Sequence, residues 1–326
     1  MTDRKIVLVT GTSSGFGRAA SLTLARAGYV VYASMRGVNG KNAVKAEALA
    51  REANNDALEI VPIEVDVTIA STCEAAADRI VSDRGRIDAV VNNAGMLCMG
   101  VTEAFTPDQV ARVFDTNVLG PLRMNQAVLP HMRAAGGGHL VYVGSVTSDI
   151  VSPFQGPYIA SKAAEDRMAE TMHYELSSLG IDTTIIQPGA FTSGTEHFPH
   201  AMKPGRGDVV GAYDAIADLP GKLAERLDRL VRDGVRVDAQ DVADAVLRAI
   251  ELPSGERPFR MVVDPQEHGA DAVGAVRAVM QRRLMDRLGI GGLMRIAPNP
   301  YPGKAELRTD GPWIADLDTG RVEGKG

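Results

Sequence analysis

The chain has 326 residues, a formal net charge of -6, 45% hydrophobic residues and two cysteines, Cys73 and Cys98. That is apolar material for a sizeable core, an acidic balance that gives no reason to expect nucleic acid, and too few thiols for a disulfide framework, as in a reducing compartment. The N-terminus enters a strand at once, leaving no room for a signal peptide, and no apolar run reaches the roughly 18 residues of a membrane span, so a cytoplasmic protein is expected.

Residues 6–9, Ile-Val-Leu-Val, read as a strand buried on both faces. They lead into Gly11, Thr12, Ser13, Ser14, Gly15, Phe16 and Gly17, then a helix over 18–27. Strand, glycine turn and helix is the arrangement that holds a dinucleotide pyrophosphate, because glycines let the backbone approach the phosphates and the helix offers unpaired N–H groups. Strands follow at 29–34, 58–65, 87–91, 138–144, 181–187 and 257–264. Helices are read at 41–53, 69–84, 157–179, 239–251 and 273–288, and as one long helix over 106–134 with a bend near Gly120-Pro121. Thr106-Pro107 gives that helix an N-cap and a first-turn proline. The alternation implies a doubly wound parallel sheet, an α/β fold with helices on both faces, whose ligands bind at the carboxyl ends of the strands.

The chemically interesting residues fall at those ends. Arg36 follows the second strand, where an NAD-binding sheet would place an acid for the ribose 2′-OH. No carboxylate stands between Asp3 and Glu47. A guanidinium there can clamp a 2′-phosphate, which favours NADP. Asp66 and Val67 follow the third strand, at the adenine end, and Asn92, Asn93, Ala94 and Gly95 follow the fourth. Ser145 ends the fifth strand, and Tyr158 and Lys162 lie one turn apart on the next helix. A free tyrosine, with a pKa of about 10, is a poor base at neutral pH. A neighbouring ammonium favours the phenolate, and a tuned tyrosine can exchange a proton with an alcohol while a serine holds its oxygen.

Taken together, Thr10-Gly-x-x-x-Gly-x-Gly17, Asp66, Asn92-Asn-Ala-Gly95, Asn117, Ser145, Tyr158-x-x-x-Lys162 and Pro188-Gly189 resemble the short-chain dehydrogenase/reductase family over about residues 5–265. The resemblance implies a single seven-stranded Rossmann domain and NAD(P)-dependent hydride transfer. Tyr158 would be the acid/base and Ser145 would position the carbonyl. Lys162 would bind the nicotinamide ribose and lower the tyrosine pKa, and Asn117 would hold a relay water through its main chain. Thr192, Ser193 and Thr195 compete for the nicotinamide amide after Pro188-Gly189, and Thr192 is taken for it. The resemblance also implies that 106–134 and 157–179 pair across a two-fold axis, giving a homodimer or homotetramer.

Residues 1–289 are read as the catalytic domain, with a substrate lid at 190–235 rich in Phe191, Phe198 and Met202 and helical near 221–232, and 290–326 as a tail. Met96, Leu97 and Met99 either line an apolar substrate pocket or are core. Glu196-His197-Phe-Pro-His200 invites a metal reading, but Pro199 prevents a regular helix and no third ligand is evident, so His197 and His200 are read as two loop histidines. The expected activity is NADP(H)-dependent interconversion of a carbonyl and an alcohol on a small apolar substrate, nearest the hydroxysteroid and retinol dehydrogenase branch. The alternatives are a 3-ketoacyl thioester reductase, for which Lys203 and Arg206 are the nearby basic residues, and a non-catalytic NADPH-binding regulator.

Overall fold

The structure is a computed structural model that describes residues 4–231 and 233–296. Its strands are β1 (Ile6–Val9), β2 (Val30–Met35), β3 (Ile60–Glu64), β4 (Ala89–Asn92), β5 (Gly138–Val143), β6 (Ile181–Pro188) and β7 (Arg260–Val263). The helices are α1 (Gly15–Arg26), α2 (Ala43–Asn55), α3 (Ala70–Arg84), α4 (Pro107–Phe114), α5 (Gly120–Ala135), α6 (Gly156–Leu176), α7 (Gly207–Val210), α8 (Leu219–Asp228), α9 (Ala239–Glu251) and α10 (Ala270–Arg287). All seven strands are parallel, in the order β3-β2-β1-β4-β5-β6-β7. The order reverses between β1 and β4, so a crevice opens outside their carboxyl ends. This is the doubly wound α/β sheet expected from the sequence.

Strand period explains the two cores. Val7 and Val9 of β1 face Leu22 and Leu24 of α1 and Val242, Val246 and Ile250 of α9. Ile6 and Leu8 face the other way, toward Ile80 of α3, Met124, Val128 and Met132 of α5, and Leu176 of α6. None of these residues is polar, which is what burial on both faces requires.

Three local readings change. The long helix is interrupted by a π turn, Asp115–Leu119, five residues ahead of the expected bend. Asn117 accounts for it: its side chain accepts from the Met96 N–H at 2.8 Å and donates to the Met96 carbonyl at 3.0 Å and to Ser161 at 2.9 Å. Those bonds anchor the turn to the β4 loop. Thr106 does cap α4, in a capping box with Gln109. The helix expected over 221–232 begins earlier, at Leu219 with Pro220 in its first turn, and ends at Asp228; α7 and a 3-10 helix, Gly211–Ile216, precede it. Residues 291–294 form a 3-10 helix against α6, and Ile296 is buried, so the first part of the expected tail packs on the sheet domain. The rest of the tail, 297–326, lies outside the described residues.

A buried ion network ties α6 to the last strand and helix. Asp166 on α6 meets Arg260 of β7 at 2.7 Å and Arg277 of α10 at 2.9 Å. Arg260 also reaches Glu170 at 2.8 Å, and Arg277 pairs with Asp149 in the loop after β5. The loop carrying Ser145 and the helix carrying Tyr158 and Lys162 are thus fastened to a common support.

Buried histidines set the acid limit of the fold. Burial holds His173 on α6 down to about 4, with the nearby Arg260 adding to it against Glu170, and burial lowers His139 on β5 well below the usual range. Between these values and the free histidine value of about 6.5, the unfolded chain binds protons that the folded chain does not, so stability rises with pH across that window. His173 alone should contribute roughly 3 kcal/mol that is present at neutral pH and lost as pH falls toward 4. Urea unfolding at a series of pH values checks this. A midpoint that stays flat from pH 7.5 to 5 would contradict the buried neutral rings.

Candidate active site

One cavity of about 630 Å³ runs along the carboxyl ends of the strands, within the range of small-molecule sites. At one end its wall is Gly11, Ser14, Gly15 and Phe16 from the glycine turn, with Arg36, Asp66 and Val67. Asn93, Ala94 and Gly95 follow, and then Ser145, Tyr158, Lys162, Pro188 and Gly189. The sequence scatters these residues over the first two thirds of the chain, and the parallel sheet gathers them on one edge.

The glycine turn is packed too closely for side chains at two of its glycines. Gly11 has φ +71°, and a Cβ there would come within 2.8 Å of the Ala94 Cα. A Cβ on Gly17 would stand 2.4 Å from the Asn93 amide nitrogen and 2.5 Å from the Gly11 carbonyl. Side chains at either position would push the turn off β4. Ser14 precedes α1 in extended backbone and makes no side-chain cap bond, so the first-turn N–H groups of α1 remain without a cap beside the cavity. Helix dipole and free donors together favour an anion there. Thr12, Ser13 and Gly17 do not line the cavity: the Thr12 hydroxyl donates inward to the Ser34 carbonyl at 3.1 Å, and Gly17 packs on Asn93.

At the end of β2, Arg36 is more than half exposed, 3.9 Å from the Asp66 carboxylate. Burial would raise Asp66, but hydrogen bonds from Thr68, with Arg36 and Lys41 nearby, hold it below the usual carboxylate range. A carboxylate does approach this turn from β3: Glu64 accepts from the Gly37 and Val38 N–H groups, both at 2.7 Å. It is committed to the backbone.

At the other end, Tyr158 is buried beside Ser145, which hydrogen-bonds its phenol. The Ser145 hydroxyl in turn accepts from Thr147, at 2.9 Å from its hydroxyl and 3.2 Å from its N–H. Lys162 donates to the Val143 carbonyl at 2.9 Å and to Glu165 at 2.7 Å. Burial pushes the Tyr158 phenol above its usual value, against the lowering effect of Lys162 and Ser145. Lys162 thus pulls the phenol in the expected direction, and burial opposes it. Asn117 lies just behind this wall, its carbonyl oxygen 3.4 Å from where a Gly95 Cβ would be, and does not itself line the cavity.

The choice of Thr192 is corrected as well. Its hydroxyl bonds Asp228 on α8, and of the three hydroxyl residues Thr195 alone lines the cavity. Thr195 also lies against Gly15, and Glu196 beside it meets Lys45 of α2 at 2.9 Å, so this segment reaches across the cleft. Met96, Leu97 and Phe198 line the cavity, whereas Met99 and Cys98 are core. Backbone bonds Met99 N–H to Met202 and Met202 N–H to Leu97, at 2.9 and 2.8 Å, seat the 197–202 segment on the β4 loop. His197 places its ring 5.6 Å from that of Tyr158, and burial lowers it to about 4, so it is neutral at physiological pH. Sequence reasoning missed the loop after β7. Gln266 there bonds both the Ala190 N–H, at 3.0 Å, and its carbonyl, at 2.7 Å, while His268 lines the cavity and pairs with Asp264 at 2.8 Å. Among the described residues no group of three or more His, Cys, Asp or Glu could hold a metal ion, and no helix is long and apolar enough to cross a membrane.

A seven-stranded parallel sheet with a glycine turn at its switch point and a serine, tyrosine and lysine at one cavity wall defines a nucleotide-dependent oxidoreductase class. Residues 5–202 match the short chain dehydrogenase family, and the chain belongs to it. It is 33% identical over 261 residues to 3-ketodihydrosphingosine reductase of Bacteroides thetaiotaomicron, covering 80% of this chain and 88% of that one. To human 17-beta-hydroxysteroid dehydrogenase type 1 it is 35% identical over 189 residues, 57% of this chain and 56% of that protein. Among solved structures it is similar to a short-chain dehydrogenase from Streptomyces avermitilis, with TM-score 0.68, 26% identity and coverage of 88% and 98%. A gluconate 5-dehydrogenase from Burkholderia cenocepacia, solved with NADP and tartrate, gives TM-score 0.64 at 25% identity, covering 83% of this chain and 97% of that one.

Proposed function

We propose that this oxidoreductase uses NADP(H) to interconvert a carbonyl and an alcohol on an apolar substrate, with Tyr158 giving or taking the proton. The observation that carries the reading is the convergence of Tyr158, Ser145 and Lys162 on one wall of a cavity whose far end is the uncapped start of α1. Gly11, Ser14, Gly15 and Phe16 would hold the pyrophosphate, Asp66 and Val67 the adenine end, and Asn93, Ala94, Gly95, Lys162, Pro188 and Gly189 the nicotinamide half. Bound there, the cofactor supplies or accepts the hydride.

The protein's own residues do the rest. Ser145, held by Thr147, aims its hydroxyl at the substrate oxygen, and Tyr158 beside it exchanges the proton. A phenol held above its usual pKa is mostly protonated at neutral pH, which suits donation to a carbonyl. Met96, Leu97, Phe198 and Leu227 supply an apolar wall, the last two from the 190–235 segment, which would serve as the lid. The thioester reading finds less support: Arg206 pairs with Asp208 at 3.5 Å, and neither it nor Lys203 lines the cavity. A non-catalytic regulator would have no need of a serine, a tyrosine and a lysine converging on one wall.

A turnover screen with NADPH against long-chain ketones, ketosteroids, aldehydes and ketoacyl thioesters tests the reading. Oxidation or reduction of none of them, in a folded protein that binds NADPH, would overturn it. The cofactor choice has its own test. Arg36 is exposed and only loosely engaged with Asp66, so it can turn to a 2′-phosphate at little cost. NADPH should exceed NADH in kcat/KM by about tenfold or more, the worth of one charge-assisted contact. Arg36→Ala should erase most of that ratio by weakening NADPH alone. Equal wild-type values, or an unchanged ratio in the variant, would reject the assignment.

A further inference from the structure

Lys162 has a partner that the reaction as described does not use. Its Nζ lies 2.7 Å from the Glu165 carboxylate, one turn along α6, and both side chains are buried, 5% and 3% exposed. Withdrawing two such charges from water is expensive. Glu165 lines a small cavity of about 10 Å³ with Val118, Leu122, Met168 and Met172 on one side and Asn125 and Tyr142, bonded to each other, on the other. An apolar residue would fit against the former but would leave the Lys162 ammonium buried without a counter-charge. A carboxylate at this place therefore has to be accounted for by what it does to Lys162.

Two effects follow from the geometry. The ion pair and the Val143 carbonyl, 2.9 Å from the same ammonium, fix two of the three Lys162 donors and leave the third for the cavity. The negative charge also opposes the field that Lys162 exerts on Tyr158: the ammonium favours the phenolate, and Glu165 acts the other way. We propose that Glu165 is a positioning residue that fixes Lys162 and offsets its charge, keeping Tyr158 a proton donor and setting the site for carbonyl reduction. This rests on the reading of Tyr158 as the acid/base. The charges acting on Glu165 are Lys162 and Asp166 from its own helix, with Tyr142 facing it from β5. Burial raises the Glu165 carboxyl, while the Lys162 ammonium and its hydrogen bond at 2.7 Å pull it back down; with Asp166 held by Arg260 and Arg277, Glu165 is the carboxylate that faces Lys162.

The experiment reads Tyr158 itself. Protein labelled with ¹³C at the tyrosine ring carbon bearing oxygen is titrated with and without NADP⁺, the Tyr158 resonance being assigned by its loss in Tyr158→Phe. Glu165→Gln keeps an oxygen for Lys162 but removes the charge, and should lower the Tyr158 midpoint by about one pH unit. Glu165→Asp, its carboxylate drawn back by one methylene, should move it part of the way and serves if the glutamine variant does not fold. With substrate and cofactor saturating in each direction, the same variants should show kcat for alcohol oxidation rising relative to kcat for carbonyl reduction at a fixed neutral pH. A midpoint that is unmoved or raised in a folded variant overturns the proposal, and weaker cofactor binding with an unmoved midpoint assigns Glu165 to packing alone. Failure of the parent reading looks different: the midpoint moves as expected, but Tyr158→Phe turns over substrate as fast as wild type.

Discussion

Replacing Tyr158 with phenylalanine should lower kcat by roughly 10²–10⁴-fold, the usual loss of a general acid/base, while leaving the fold and cofactor affinity close to wild type. The ring packs in the cluster of Leu97, Met99, Phe105, Val113 and Leu227, and phenylalanine keeps those contacts. Only the hydroxyl goes, and its partner Ser145 retains Thr147. Lys162→Ala should behave differently. It removes the cavity ammonium and leaves Glu165 buried without its partner, so cofactor affinity, kcat and thermal stability should all fall. Stopped-flow and steady-state assays, each run well below the variant's own thermal midpoint, separate the two patterns. A folded Tyr158→Phe protein that retains near wild-type turnover on an authentic substrate would reject Tyr158 as the proton carrier.

The strands and much of the cavity wall could be read from the sequence because both rest on local signals. A run such as Ile6–Val9 is apolar throughout for a reason that one segment contains, and glycine is needed where a turn packs too closely for a side chain, as Gly11 does against the Ala94 backbone and Gly17 against the Gly11 backbone and the Asn93 side chain. The π turn could not be read that way. It depends on Asn117 bonding the peptide of Met96, 21 residues away, and nothing in 106–134 records that partner. Thr192 and Thr195 were indistinguishable for a similar reason: α8 supplies Asp228 to one and Gly15 lies against the other. Glu165 had a visible signal, an acid three residues after a lysine on a helix. At that spacing most such pairs are solvated, and only the packing of α5 and β5 over α6 makes this one buried. The loop after β7 carried no motif at all, because Gln266 acts on the backbone of Ala190 through contacts the fold alone creates.

The costliest single change away from the cavity should be Asp166→Ala. Asp166 is 1% exposed and receives Arg260 at 2.7 Å and Arg277 at 2.9 Å, each of them largely buried. Removing the carboxylate leaves two guanidinium groups with reduced compensation: Arg260 keeps Glu170, and Arg277 keeps Asp149. Breaking a buried pair on one side costs about 3–5 kcal/mol, more than the pair's net contribution, because the surviving charges stay desolvated. Asp166→Asn, which retains an acceptor and most of the volume, should cost less. The exposed pair Arg282–Asp286 on α10 gives the control, since its loss should stay within about 1 kcal/mol. Urea midpoints at constant slope read all three. The same change should loosen β7 and α10 from α6, so kcat should fall more steeply on warming than in the wild type, while at low temperature it stays near the wild-type value. A loss below about 1 kcal/mol, no larger than that of the exposed pair, would mean that water reaches Arg260 and Arg277 and that the network does not brace α6.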